Sequence, residues 1–163
     1  MLRGSINHLS LTVSDLPRAM EFFGPLLEFL GYVVDRTSTA GVRVNISPIT
    51  GGAVNVWQAK EQFRNVPFEV YAPGLHHVSF NVESNEAIDE LARRVPQWGG
   101  RVTDAPGEYP YTDRGTYYAV YFRGPDDIKL ECVYMSELRR LHESIGTLER
   151  KLWMPSQVLR EGV

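Results

Sequence analysis

A single cysteine, Cys132, occurs among the 163 residues. No disulfide can staple the chain internally, and the expected setting is a reducing one, the cytoplasm. An excess of one charge is also missing: 17 basic and 20 acidic residues are interspersed to a net −3. The basic footprint of a nucleic-acid binder is therefore absent. Long hydrophobic runs are lacking as well, because the most apolar stretch, "AMEFFGPLLEFLGYVV", is interrupted by Glu21 and Glu28. It falls short of the roughly 20 apolar residues of a membrane span. The opening "MLRGSINHLS" has no charged-then-apolar layout of a secretory leader, and no segment is of low complexity. Nucleic acid and membrane are set aside as partners, and a small molecule is expected. A chain of this length can bury a core without staples, and one folded unit spanning residues 1–163 is expected.

What the sequence does contain is an internal repeat. The segments "INHLSLTVSD" and "GLHHVSFNVES" superpose at a shift of 69 (77 − 8 = 69), which puts His8 on His77, Ser10 on Ser79, Leu11 on Phe80 and Val13 on Val82. His77, not His76, is thus the counterpart of His8. The same shift carries Asp15 onto Ser84, two helix N-cap residue types, and Gly31 onto Gly100, two helix terminators. Each copy continues with short β-rich runs: "YVVDRT", "VRVNISP" and "AVNVWQA" in the first, "RVTDAP", "TYYAVYFR" and "IKLECVY" in the second. Each copy reads β-α-β-β-β, giving an α+β chain with module one at about 4–60 and module two at about 74–135. The first helix should start at Leu16 and Pro17 and be broken or kinked at Gly24-Pro25. The second should run from about Ser84 to Val95 with Ile88, Leu91, Ala92 and Val95 as its apolar stripe. A C-terminal helix is predicted over about 136–153, where Leu138, Leu141, Ile145, Leu148 and Leu152 step by three and four. It either closes its own core or forms a homodimer contact, and His142 on it is expected to be solvated.

Strand parity then points to chemistry. Successive side chains face opposite sides of a strand, so His8, Ser10 and Thr12 share one face, and His77, Ser79 and Asn81 share the equivalent one. The apolar faces pack on helices, leaving two polar faces each headed by an imidazole. In "DDIKLECVY", Glu131 stands mid-strand against a face of Ile128, Leu130, Cys132 and Tyr134. An unpaired carboxylate there would be costly to bury, and coordination would neutralise it. His8, His77 and Glu131 supply two nitrogen donors and one oxygen donor for a divalent metal ion, with positions open for water or substrate. Zn, Ni, Fe, Mn and Co all suit such a set.

At these residues the chain resembles the vicinal oxygen chelate superfamily, which includes glyoxalase I, extradiol dioxygenases and the fosfomycin and bleomycin resistance proteins. The matching stretches are "INHLSLTVSDLPRAMEFFGPLLEFLGY", "GLHHVSFNVES" and "YYAVYFRGPDDIKLECVY". The resemblance implies two βαβββ modules forming a cup-shaped mixed sheet with helices outside, and His8, His77 and Glu131 as metal ligands. Two positions depart from the pattern. Asp127 in "GPDD" stands where glycine would ease a positive φ, which aspartate tolerates better than most residues. Trp57 occupies the place, one module earlier, that Glu131 holds in module two; Gln58 and Glu61 are out of phase. A three-ligand site follows, unlike that of glyoxalase I-like members.

The implied activity is that of a metal-dependent lyase or isomerase on a small oxygenated substrate, with Glu131 as the catalytic carboxylate, which either moves between ligand and base or leaves the role of base to another group. A ring-cleaving Fe(II) dioxygenase and a metal-free drug-binding resistance protein are the alternatives. Candidate substrate contacts are Trp57, Tyr117, Tyr121 and Arg114. The tyrosines could equally be ordinary strand aromatics, and Arg114, in the loop "DAPGEYPYTDRG", either holds an anionic group or is simply solvated.

Overall fold

A computed structural model describes residues 6–37, 40–110 and 116–136. Arg114, His142 and the tail helix expected from the leucine spacing lie outside the described residues.

The first repeat opens with β1 (His8–Val13), in which Leu11 and Val13 are buried and His8, Ser10 and Thr12 are exposed. Helix α1 (Leu16–Phe29) follows, capped by the Asp15 side chain, which accepts from the Arg18 N–H at 3.0 Å. The helix runs through Pro25 without ending, contrary to the expected break. A proline inside a helix costs ~3 kcal/mol or more. Phe22, Phe23, Leu26 and Leu27 on both sides of it are buried, and each fully buried side chain of this kind returns ~1.5–3 kcal/mol. Gly31, at φ 79°, ends the helix as expected.

Strands β2 (Val42–Ile46) and β3 (Ala53–Gln58) complete a three-stranded sheet in the order β1-β3-β2, with β1 parallel to β3 and β2 antiparallel to it. The strand expected in "YVVDRT" reduces to a single bridge between Val33 and Ile46. Val33 is 66% exposed and has little burial to gain from a longer pairing.

The second repeat contains β4 (Val78–Asn81), α2 (Asn85–Arg94), β5 (Arg101–Glu108), β6 (Tyr117–Arg123) and β7 (Lys129–Met135). Its sheet order is β4-β7-β6-β5, with β4 parallel to β7. Ser84 caps α2 by accepting from the Ala87 N–H at 3.2 Å, and Ile88, Leu91 and Val95 are fully buried. Pro106 is tolerated because β5 is an edge strand, with two register shifts against β6. The α+β class and the duplicated module are as expected. The modules contribute two mixed sheets, of three and four strands, consistent with the expected paired βαβββ architecture.

Phe22 joins the repeats. Its ring meets Phe23 edge-on at 5.2 Å and Phe122 of β6 at 6.4 Å. A Cβ on Gly124 would lie 2.6 Å from the Phe22 ring, and one on Gly100 would overlap it outright. Gly100 is therefore a packing glycine, and it is Gly99, at φ 85°, that terminates the helical turn Val95–Trp98. The turn before β7 adds a polar link: Asp126 Oδ2 accepts the Ser14 N–H at 2.9 Å, while Arg101 and Arg123 donate to the Asp127 carboxylate. The positive φ expected at Asp127 is present (59°) and extends to Asp126 (56°).

Gly100→Ala should overpack this joint and cost about 1–3 kcal/mol, read as a lower thermal midpoint. An unchanged midpoint would mean that the Phe22 ring gives way freely.

Candidate functional site

Glu131 lies in the middle of β7 and is 1% exposed. Its strand neighbours Leu130 and Cys132 face the main core, so Glu131 points to the other side of the sheet. There its register partners are Ser79 on β4 and Tyr121 on β6. A buried carboxylate must be satisfied, and both oxygens are. Oε1 accepts the Tyr117 hydroxyl at 2.6 Å, and Oε2 lies 3.0 Å from His77 Nε2. Hydrogen bonds to an ionised group are short and strong.

His77 is supported in turn. Its Nδ1 is 2.7 Å from Nδ1 of His76, and the Tyr121 ring stands edge-on at 6.2 Å. Partial desolvation holds His76 below its ordinary pKa, with the charges of His77 and Lys129 adding to the effect. A neutral His76 can then share one proton across the Nδ1–Nδ1 contact. Lys129 sits over the Tyr121 ring at 5.0 Å. Around these groups Ala119, Tyr121 and Val133 form a small second core with Tyr109, Tyr117 and Met135. Cys132, adjacent in sequence, takes no part: burial pushes its thiol pKa far up and the Glu131 charge pushes it further, so no thiolate is available.

His8 heads β1 as expected and is exposed, with Nδ1 2.9 Å from Asn7 Oδ1. It lines, together with His77, a cavity of 420 Å³ where the beginnings of β1, β3 and β4 meet. Trp57 lies on the exposed face of the first sheet, 41% exposed, with its Cα opposite Thr12. Tyr117 and Tyr121 gather at Glu131 on the second sheet. Of the residues singled out in the sequence, the structure thus brings His77, Glu131, Tyr117 and Tyr121 into one cluster and His8 into a shared cavity with His77.

The His77–Glu131 separation suits two neighbouring ligands of one ion, since donors each roughly 2.0–2.2 Å from a metal at a roughly right angle lie about 3 Å apart. Among the described residues no group of three or more His, Cys, Asp or Glu side chains is arranged to hold a metal ion. Two donors are therefore in place, and His8 stands apart from them, turned to Asn7.

Sequence reasoning missed the hydroxyl of Tyr117 as a direct partner of Glu131, whereas His76, of opposite parity to His77, is expected from the sequence at the strand edge or behind a ligand and does stand behind His77. Alternation alone placed Tyr117, Tyr121 and Glu131 on consistent faces once β6 and β7 were paired. For His76, alternation pointed away from the site, because residues 74–77 precede β4 and do not follow strand geometry.

The sequence profile of the glyoxalase/bleomycin resistance protein/dioxygenase superfamily matches residues 5–132. A Bacillus subtilis (strain 168) protein, the uncharacterized YqjT, is 30% identical over 128 residues, spanning 78% of this chain and 97% of that one. A candidate glyoxalase from Bacillus halodurans superposes with a TM-score of 0.67 at 25% identity, over 81% of this chain and 96% of the other. A glyoxylase/bleomycin resistance protein/dioxygenase domain from Frankia sp. EAN1pec gives 0.60 at 27% identity, over 83% and 100%.

Removing the hydroxyl in Tyr117→Phe should cost about 1–3 kcal/mol, because it takes a charge-assisted hydrogen bond from a buried carboxylate. Urea unfolding measures this, and an unshifted midpoint would show that Tyr117 does not hold Glu131.

Proposed function

Because the chain belongs to the glyoxalase/bleomycin resistance protein/dioxygenase superfamily, we propose that it is a metal-dependent lyase or isomerase acting on a small oxygenated substrate. The observation that carries this reading is the 3.0 Å contact between His77 Nε2 and the buried Glu131 carboxylate. His77 and Glu131 would hold the divalent ion, and His8 would complete the set by turning from Asn7. When bound, such an ion supplies a Lewis acid that stabilises negative charge on a substrate oxygen.

The chain's own residues do the rest. Tyr117 fixes one oxygen of Glu131 and leaves the other directed at His77. Glu131 is also the carboxylate that can take a proton from a substrate carbon, and its burial keeps water from competing for that proton. His76 orients the His77 ring from behind, the kind of support that metal-ligating histidines depend on. Trp57, Tyr117 and Tyr121 supply aromatic surface for the substrate. The same donor types suit ferrous iron and ring-cleaving oxygenation, and oxygen uptake with catechols after ferrous loading separates that chemistry from isomerisation. The apolar cavity beside His8 favours a second reading, a binding protein that needs no metal.

Elemental analysis of purified wild type, His77→Ala and Glu131→Gln decides between them. About one equivalent of divalent metal is expected in the wild type, with occupancy lowered about 10–100-fold or more in both variants. Equal metal content in all three would overturn the metal-dependent reading.

A further inference from the structure

A row of cationic side chains crosses the second sheet, because Arg101, Arg123 and Lys129 are register partners on β5, β6 and β7. The two arginines are already matched. Arg101 donates to one Asp127 carboxylate oxygen at 3.2 Å and Arg123 to the other at 3.0 Å. Lys129 is not matched: among the described residues it has no carboxylate partner, and its ammonium sits 5.0 Å from the centre of the Tyr121 ring. A cation–π contact of this kind contributes ~0.5–1 kcal/mol at an exposed site and leaves the N–H donors of the ammonium free. Glu131 makes no call on them. Both of its oxygens are taken, one by Tyr117 and one by His77. Lys129 nevertheless alternates onto the same face of β7 as Glu131, and the ring beneath its ammonium stands 6.2 Å from the His77 ring. A half-buried cation with free donors therefore borders the His77–Glu131 pair.

This placement sorts ligands by charge. A neutral molecule seated against Lys129 would strip water from the ammonium and give nothing in return. An anion approaching Glu131 meets a like charge, which Lys129 offsets with a charge-assisted hydrogen bond of its own. One ammonium balances one negative charge, the charge of a carboxylate and not of a phosphate monoester. We propose that Lys129 is the specificity-determining residue of this site and that the substrate is a small oxygenated carboxylic acid, its carboxylate held by Lys129 and its other oxygens directed to His77 and Glu131. As a statement about substrate, this rests on the metal-dependent reading of that pair; as a statement about anion binding, it stands without a metal.

The matched probes are 3,4-dihydroxybenzoate and its uncharged amide, 3,4-dihydroxybenzamide, which differ in charge at one end and present the same vicinal oxygens at the other. Each is titrated into the whole chain before and after treatment with a chelator, with the imidazole NMR signals of His76 and His77 as the readout. In wild type the acid should bind about fivefold or more tightly than the amide in both preparations, the upper range of a partly exposed ion pair. Lys129→Met should bring that ratio to about one by weakening the acid alone, and Lys129→Arg, which keeps the charge, should restore it. Arg101→Gln removes a cation already matched by Asp127 and should leave the ratio as in wild type, which separates an anchor from the general charge of the row. No saturable binding of the acid to wild type, equal affinity for the two probes, or an acid preference that survives Lys129→Met would overturn the proposal. The wild-type ratio decides even if no variant folds. Metal content of the same samples is read separately. A preference that depends on Lys129 in a protein that takes up no metal refutes only the metal-dependent reading, and metal uptake without such a preference refutes only the anchor.

Discussion

The buried carboxylate of Glu131 is the constraint around which the second repeat is arranged. It sits in a strand whose other buried residues, Leu130, Cys132 and Val133, are apolar, and a bare charge there would not be tolerated. Tyr117 reaches it from β6 and His77 from the start of β4, so both flanking strands are tied to β7 by side chains as well as by backbone. Tyr121 and Tyr109, with Met135 beside them, keep water from the carboxylate. Structure and chemistry thus share one cause: the contacts that make Glu131 bearable in the fold also aim it at an imidazole.

The repeats are not independent halves. Phe22, carried by the helix of the first, lies against Gly100 and Gly124 of the second, and one hydrophobic cluster runs from Leu11 and Leu26 through to Ile88, Phe122 and Leu130. Each repeat pairs its first strand in parallel with its last, β1 with β3 and β4 with β7. That shared topology explains why His8 and His77 occupy equivalent places. The symmetry is incomplete where it concerns donors: Ser10 pairs with Asn55 where its counterpart Ser79 pairs with Glu131, so the position matching Glu131 in the first sheet is Asn55 and not the expected Trp57, and the first repeat has no carboxylate to gather its histidine.

Much of this was legible in the sequence. The shift relating His8 to His77, the caps at Asp15 and Ser84, the face of Glu131 and the left-handed turn at Asp127 all follow from rules that depend only on local geometry. The failures have non-local causes. Pro25 stays inside its helix because Phe22, Phe23, Leu26 and Leu27 are buried together, which periodicity does not weigh against the proline. Gly100 looked like a helix terminator because its neighbour Gly99 has the same signature; only the approach of Phe22, 78 positions away (100 − 22 = 78), separates the two roles. Tyr117 was seen as a wall for substrate because nothing in an alternation pattern says where a hydroxyl ends.

The Asp126 carboxylate, lodged on the Ser14 amide, spans 112 positions of chain to clasp the start of the opposite repeat. The loop that initiates one helix is therefore finished by a turn synthesised 112 positions later. A ribosome-tethered fragment ending before residue 126 would leave that amide uncapped and the Phe22 ring without its glycine bed at 124, so the final architecture waits for translation of the hairpin that leads into β7.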